Sequence, residues 1–139
     1  MFNTLLRNKK PLSMQGNNQY RLVMDIDGTI CTKCGTDYAD SKPIQAVITK
    51  LREYKQNGFY IILFTSRQMR THQNNIGKIN AQTLPTVIDW MKKYNIPFDE
   101  IHIGKPWCGY KGFYVDDKSI RPDEFLNHSY EEIIELLER

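Results

Sequence analysis

The stretch Leu22-Val23-Met24-Asp25-Ile26-Asp27-Gly28-Thr29 constrains this chain most. An apolar run leads into two aspartates spaced two residues apart, and a glycine then breaks the extended pattern. Residues two apart in a strand share a face, so a strand that ends at Asp25 and bends can bring both carboxylates to one point. Carboxylates that close repel unless a cation or a proton lies between them. The stretch therefore points to a divalent metal site with a carboxylate to spare, and a spare carboxylate can act as a nucleophile. Two other readings stand beside it. Asp and Gly are common in turns after strands, and a D-x-D can hold the metal and sugar nucleotide of a glycosyltransferase.

Alternating strand and helix patterns surround this stretch. Residues 1–19 are polar and basic and read as a flexible N-terminal arm, leaving 20–139 as a single domain. Tyr20 to Asp25 is the first expected strand, and Gly28 to Asp40 a loop. Ser41 is the expected cap of a helix with Pro43 in its first turn and Ile44, Val47, Ile48, Leu51 and Tyr54 at helical spacing. Asn57-Gly58 stops it. Phe59 to Phe64 is a continuous apolar run, as in a parallel strand buried on both faces. Thr65 to Gln82 is polar and long for a connection. Thr83 and Pro85 open a second helix bearing Leu84, Val87, Ile88 and Met91. Ile101 to Ile103 and Phe113 to Val115 are short third and fourth strands. Arg121 to Asn127 is a turn or short helix, and Ser129-x-x-Glu132 is a capping box for a last helix. The order predicts an α/β fold, Rossmann-like and three-layered, with a mainly parallel sheet.

In such sheets the site lies beyond the carboxyl ends of the strands. Three predicted strands end in Asp25 to Asp27, Thr65 to Arg67, and Asp116-Asp117, and Lys105 follows another. The hydroxyl of Thr65, with Ser66 and Arg67, suits a phosphoryl oxygen. Lys105 suits a place between carboxylates, balancing their charge. Asp116 can complete a magnesium shell with Asp25 and the backbone carbonyl of Asp27, because magnesium favours oxygen ligands. Taken singly, these residues also read as a helix cap, solvated cations and a turn. Cys31-x-x-Cys34 and the separate Cys108 lack the fourth ligand of a zinc site and the context of a redox pair.

The net charge of +3 is too mild to argue for nucleic acid but permits a pocket for a small anion. No apolar run approaches the ~20 residues needed to span a bilayer. An odd cysteine count without a disulfide pattern favours a reduced, cytoplasmic setting.

The order of Asp25-x-Asp27-Gly28-Thr29, Thr65, Lys105 and Asp116-Asp117 resembles the four motifs of the haloacid dehalogenase superfamily of phosphohydrolases, over about 20–139. The stretches 65–71 (TSRQMRT), 104–117 (GKPWCGYKGFYVDD) and 119–125 (SIRPDEF) resemble phosphatases of capsular polysaccharide biosynthesis. The resemblance implies a magnesium-dependent phosphatase in which Asp25 forms an aspartyl-phosphate and Asp27 is the acid and base. It also implies that Thr65 and Lys105 hold the phosphoryl group, and that Asp116 ligates magnesium with Asp117 beside it. The metal set is then Asp25, Asp27, Asp116 and Asp117. Little sequence is left for a cap domain, so an open, capless site is expected. Ser66, Arg67, Arg70 and Lys78 are expected to read the substrate, a small sugar or polyol phosphate, and a second subunit is the candidate for completing the site. The alternatives are a protein or nucleotide phosphatase of the same fold, or a non-catalytic phosphate-binding or scaffolding domain.

Overall fold

The computed structural model describes residues 19–33 and 41–139; residues 1–18 of the expected arm, and Cys34, lie outside them. Strands β1 (Arg21–Met24), β2 (Tyr60–Phe64) and β3 (Glu100–His102) form a parallel sheet in that order. The helices among the described residues are α1 (Gln45–Gln56), α2 (Ile76–Gln82), α3 (Leu84–Lys93), α4 (Pro122–Asn127) and α5 (Tyr130–Leu137). The α/β class with a parallel sheet and no large cap is thus as the sequence predicts.

Register places the site. Leu22 lies opposite Ile61 and Met24 opposite Leu63, so Asp25 and Thr65 leave the sheet side by side. Beyond the ladder, the Thr65 N–H donates to the His102 carbonyl (2.9 Å) and the Lys105 N–H to the Thr65 carbonyl (3.1 Å). These bonds carry the third segment along the second until Lys105 stands level with the first. Gly104 permits this path. Its φ of +89° disfavours any side chain, and a Cβ there would lie 2.8 Å from Ile76 Cδ1.

The core follows from periodicity. Val47, Ile48, Leu51 and Tyr54 of α1 and Val87, Trp90 and Met91 of α3 are buried in one cluster with Ile61 and Leu63. β2 alternates rather than burying both faces. Ile61 and Leu63 are fully buried, whereas Tyr60, Ile62 and Phe64 are half-buried. Val23, opposite Ile62, is 59% exposed, so the second face stays partly open near β1. At the amino end of the strands, Tyr20, Tyr54, Phe59, Phe125 and Tyr130 stack pairwise with ring centroids 4.7–5.9 Å apart. The expected capping box closes around α5: Ser129 Oγ accepts from the Glu132 N–H and Glu132 Oε1 from the Ser129 N–H.

Several local expectations change. Ser41 does not cap α1; its carbonyl accepts the Trp90 indole N–H at 3.1 Å. Pro43 bridges Cys31 and the Ile44 N–H donates to the Ile30 carbonyl, so the helix starts only at Gln45. The long polar connection is a set of turns followed by α2, capped by Asn75, whose side chain accepts from the Lys78 N–H. Pro85 lacks an N–H and starts α3 afresh; Thr83 sits at its N-cap position without a side-chain bond.

The expected fourth strand does not form among the described residues. Phe113, Tyr114 and Val115 pair with nothing in the sheet and are 78%, 52% and 85% exposed. The Tyr114 hydroxyl donates to the Pro106 carbonyl (2.6 Å) and its ring lies 4.5 Å from Lys105 Nζ. These contacts tie the segment to the turn after β3 instead of to a strand edge.

Leu63 is wholly buried at the centre of the sheet. Leu63→Ala should lower the unfolding free energy by about 2–5 kcal/mol, read from urea denaturation. A loss below ~1 kcal/mol would contradict the described core.

Candidate active site

Asp25 and Asp27 leave β1 on either side of Ile26, which is fully buried. Ile26 anchors the turn: its carbonyl accepts from the Thr29 and Ile30 N–H groups at 3.1 and 2.9 Å. Gly28, at φ +84°, makes the bend, and its N–H donates to the Cys31 carbonyl (2.8 Å). The two carboxylates are thereby held beside each other by a turn rooted in the core.

Each has its own partners. Asp25 Oδ2 accepts from the Thr29 hydroxyl at 3.0 Å, and Oδ1 faces Lys105 Nζ at 3.4 Å. Their side chains are 33% and 20% exposed. Asp27 is gripped by Arg67 in bidentate fashion, Nη2 to Oδ1 at 2.7 Å and Nε to Oδ2 at 3.1 Å. Arg67 is almost wholly buried, and Cys31 Sγ lies 3.8 Å from its Nη2 and 3.5 Å from Asp27 Oδ1. Thr65 is buried as well; its hydroxyl oxygen accepts from the Arg67 N–H (3.0 Å), fixing the turn that aims the guanidinium.

The structure thus gathers Asp25, Asp27, Thr65, Arg67 and Lys105. Arg67 lies on Asp27, whereas the sequence suggested only a substrate contact. Ser66 follows Thr65 at the same strand end. Arg70 is exposed and bonds to the Tyr110 hydroxyl, its guanidinium 5.3 Å from that ring; Trp107 meets Tyr110 edge-on at 5.0 Å. Lys78 is exposed on α2. Asp116 and Asp117 are exposed and do not join Asp25 and Asp27. Asp116 Oδ1 accepts from the Lys118 N–H at 3.0 Å, which holds its carboxyl below the usual carboxylate range. Among the described residues, no three His, Cys, Asp or Glu side chains gather as metal ligands. Sequence reasoning named Thr29 only as part of the first motif, without a role, and missed Tyr110 and Tyr114. Thr29 alone had a signal, its place in the turn four residues after Asp25.

The model of the haloacid dehalogenase-like hydrolase family matches residues 22–138. The chain belongs to that family. The hydrolase resembles a solved structural-genomics target from Vibrio cholerae at 48% identity, covering 86% of this chain and 98% of that one, with a TM-score of 0.84. A chain of the Pnkp1/Rnl/Hen1 complex is 24% identical, covering 83% of this chain and 37% of that one, with a TM-score of 0.48. No curated protein matches the hydrolase. No helix among its described residues is long and apolar enough to cross a membrane.

Removing Arg67 leaves a half-buried carboxylate without its two strongest bonds. Arg67→Ala should cost about 1–3 kcal/mol of stability, less than for a fully buried partner because Asp27 reaches solvent. Arg67→Lys should recover only part of it, since an ammonium cannot reproduce the fork. Denaturation at neutral pH reads both, and equal stability of Arg67→Ala and wild type would refute the pairing.

Proposed function

We propose that this hydrolase is a phosphatase that uses Asp25 as its nucleophile. The observation that carries this is the pair of carboxylates at the end of β1, with Thr29 and Lys105 on the two oxygens of Asp25 and Arg67 on Asp27. A fixed, part-exposed carboxylate beside a cation suits attack on phosphorus.

Asp25 forms a bond to phosphorus as the ester P–O bond breaks; for Asp27 to give a proton to the departing alkoxide, one of its oxygens must first leave Arg67 and take up that proton. Water then attacks the aspartyl-phosphate, Asp27 takes its proton, and inorganic phosphate leaves with both carboxylates restored. Lys105 offsets charge on the transferring group, and Thr65 holds the turn beneath it. Phosphoryl transfer depends chiefly on this kind of positioning and charge stabilisation. On this reading Ser66 and the exposed Arg70 and Lys78 are the groups that read the organic part of a small ester. The narrower class, a sugar or polyol phosphate in capsular or surface-polysaccharide precursor synthesis, rests on the likeness of 65–71, 104–117 and 119–125 to phosphatases of that pathway.

The magnesium ion implied by the resemblance meets a mixed donor set. Two carboxylates balanced by Lys105 and Arg67 leave no positive charge over for a phosphate dianion, so a cation suits the site. Arg67 engages both side-chain oxygens of Asp27 and leaves its backbone carbonyl, the expected ligand, while Asp116 and Asp117 do not gather with Asp25 among the described residues. The donors gathered at Asp25 thus fall short of the expected set, and no step above passes through the ion.

Phosphate release from sugar, polyol, nucleotide and peptide phosphates, with and without magnesium, tests the proposal. Asp25→Asn should lower turnover at least ~10³-fold, about 4 kcal/mol of barrier. A folded protein that hydrolyses none of these esters would favour a non-catalytic phosphate-binding role, and a nucleotide or peptide preference would overturn the substrate class. Arg70→Ala should raise KM more than it lowers kcat; unchanged kinetics would remove Arg70 from substrate reading.

A further inference from the structure

The turns that follow β2 and β3 meet through Arg70 and two aromatic side chains that have no part in the chemistry above. The turn after β2 is anchored by Met69, which is buried, and Arg70 leaves for solvent from that fixed point. The turn after β3 carries Lys105, whose Nζ is 3.4 Å from Asp25 Oδ1, and two residues later Trp107. Gly109, at φ +76°, then bends the chain, and Tyr110 meets Trp107 with ring centroids 5.0 Å apart and planes at 90°. Arg70 ties one turn to the other. It donates to the Tyr110 hydroxyl, and its guanidinium carbon is 5.3 Å from that ring.

Trp107 is 39% exposed and Tyr110 80%, so both rings are held in place and left open to solvent. Aromatic faces carry negative charge and edges positive charge. The C–H bonds on one side of a sugar ring are weakly positive and can lie flat on such a face. Arg70 at the rim brings donors alone, and the bond to Tyr110 uses only one of its N–H groups. Donors of that kind match the hydroxyl oxygens of a sugar. An open-chain polyol has the same hydroxyls but no rigid C–H face, and it loses more rotational freedom when it binds. We propose that Trp107, Tyr110 and Arg70 form a subsite for the ring of the leaving group, which selects a cyclic sugar phosphate over an open-chain polyol phosphate. Its place beside the reacting phosphoryl group rests on the phosphatase reading.

The test compares kcat/KM on hexose and pentose phosphates with that on their alditol phosphates, beside nucleoside monophosphates. The best ring ester should exceed its own alditol by about 10-fold. Trp107→Ala and Tyr110→Ala, both at exposed side chains, should bring that ratio close to one, and Tyr110→Phe, which keeps the ring face, should restore most of it. A wild-type ratio near one, or a ratio that neither alanine variant moves, overturns the subsite while leaving the phosphatase reading standing. A preference for nucleoside monophosphates overturns the sugar assignment. If the wild type hydrolyses none of these esters, the phosphatase reading fails and binding decides the subsite. Trp90 is buried, so a change in tryptophan emission that Trp107→Phe abolishes reports on Trp107. Ring esters should produce it at about 10-fold lower concentration than alditol phosphates; no change, or equal concentrations, overturns the proposal.

Discussion

The parallel pairing of β1 with β2 is the constraint on which the site depends. Because Met24 lies opposite Leu63, the chain leaves both strands at the same level. Asp27 and Arg67, forty residues apart in sequence, then meet as a bidentate pair. A slip of one residue would turn every side chain of β1 to the other face. Met24 would lose its place in the core and the carboxylates would point away from Arg67. Packing of Met24, Ile61 and Leu63 therefore specifies the geometry of polar groups at the rim of the core.

The turn after β1 works by the same coupling. Ile26 is a wholly buried residue between two polar ones, and its carbonyl gathers the N–H groups of the next residues. The apolar side chain supplies the anchor and the backbone supplies the bend, so both carboxylates are fixed without long side chains. Thr65 repeats the device on β2. It is buried, and its hydroxyl receives the Arg67 N–H, so a polar side chain is held against the core while it shapes the turn.

Much of this was legible because it is local. The periodicity of α1 and α3, the Ser129 capping box and the apolar run into Asp25 are written in neighbouring residues. Where the sequence misled, a distant group had intervened. Ser41 resembles a helix cap, but Trp90 claims its carbonyl, and Pro43 is occupied by a bridge to Cys31. Arg67 resembles a substrate ligand, but its partner is set by strand register, which spacing along the chain does not reveal. Phe113–Val115 has strand composition, but Tyr114 is held by the Pro106 carbonyl and lies over Lys105, contacts that composition does not reveal.

The two ion pairs at the mouth of the site differ in how far water reaches them. Arg67 is sealed behind Cys31 and the core, while Lys105 and Asp25 are both part-exposed and 3.4 Å apart. Dissolved salt weakens charges that water reaches and hardly touches those it does not. Ionic strength therefore acts on the two halves of the site unequally. It loosens the cation beside Asp25 while the carboxylate held by Arg67 keeps its orientation.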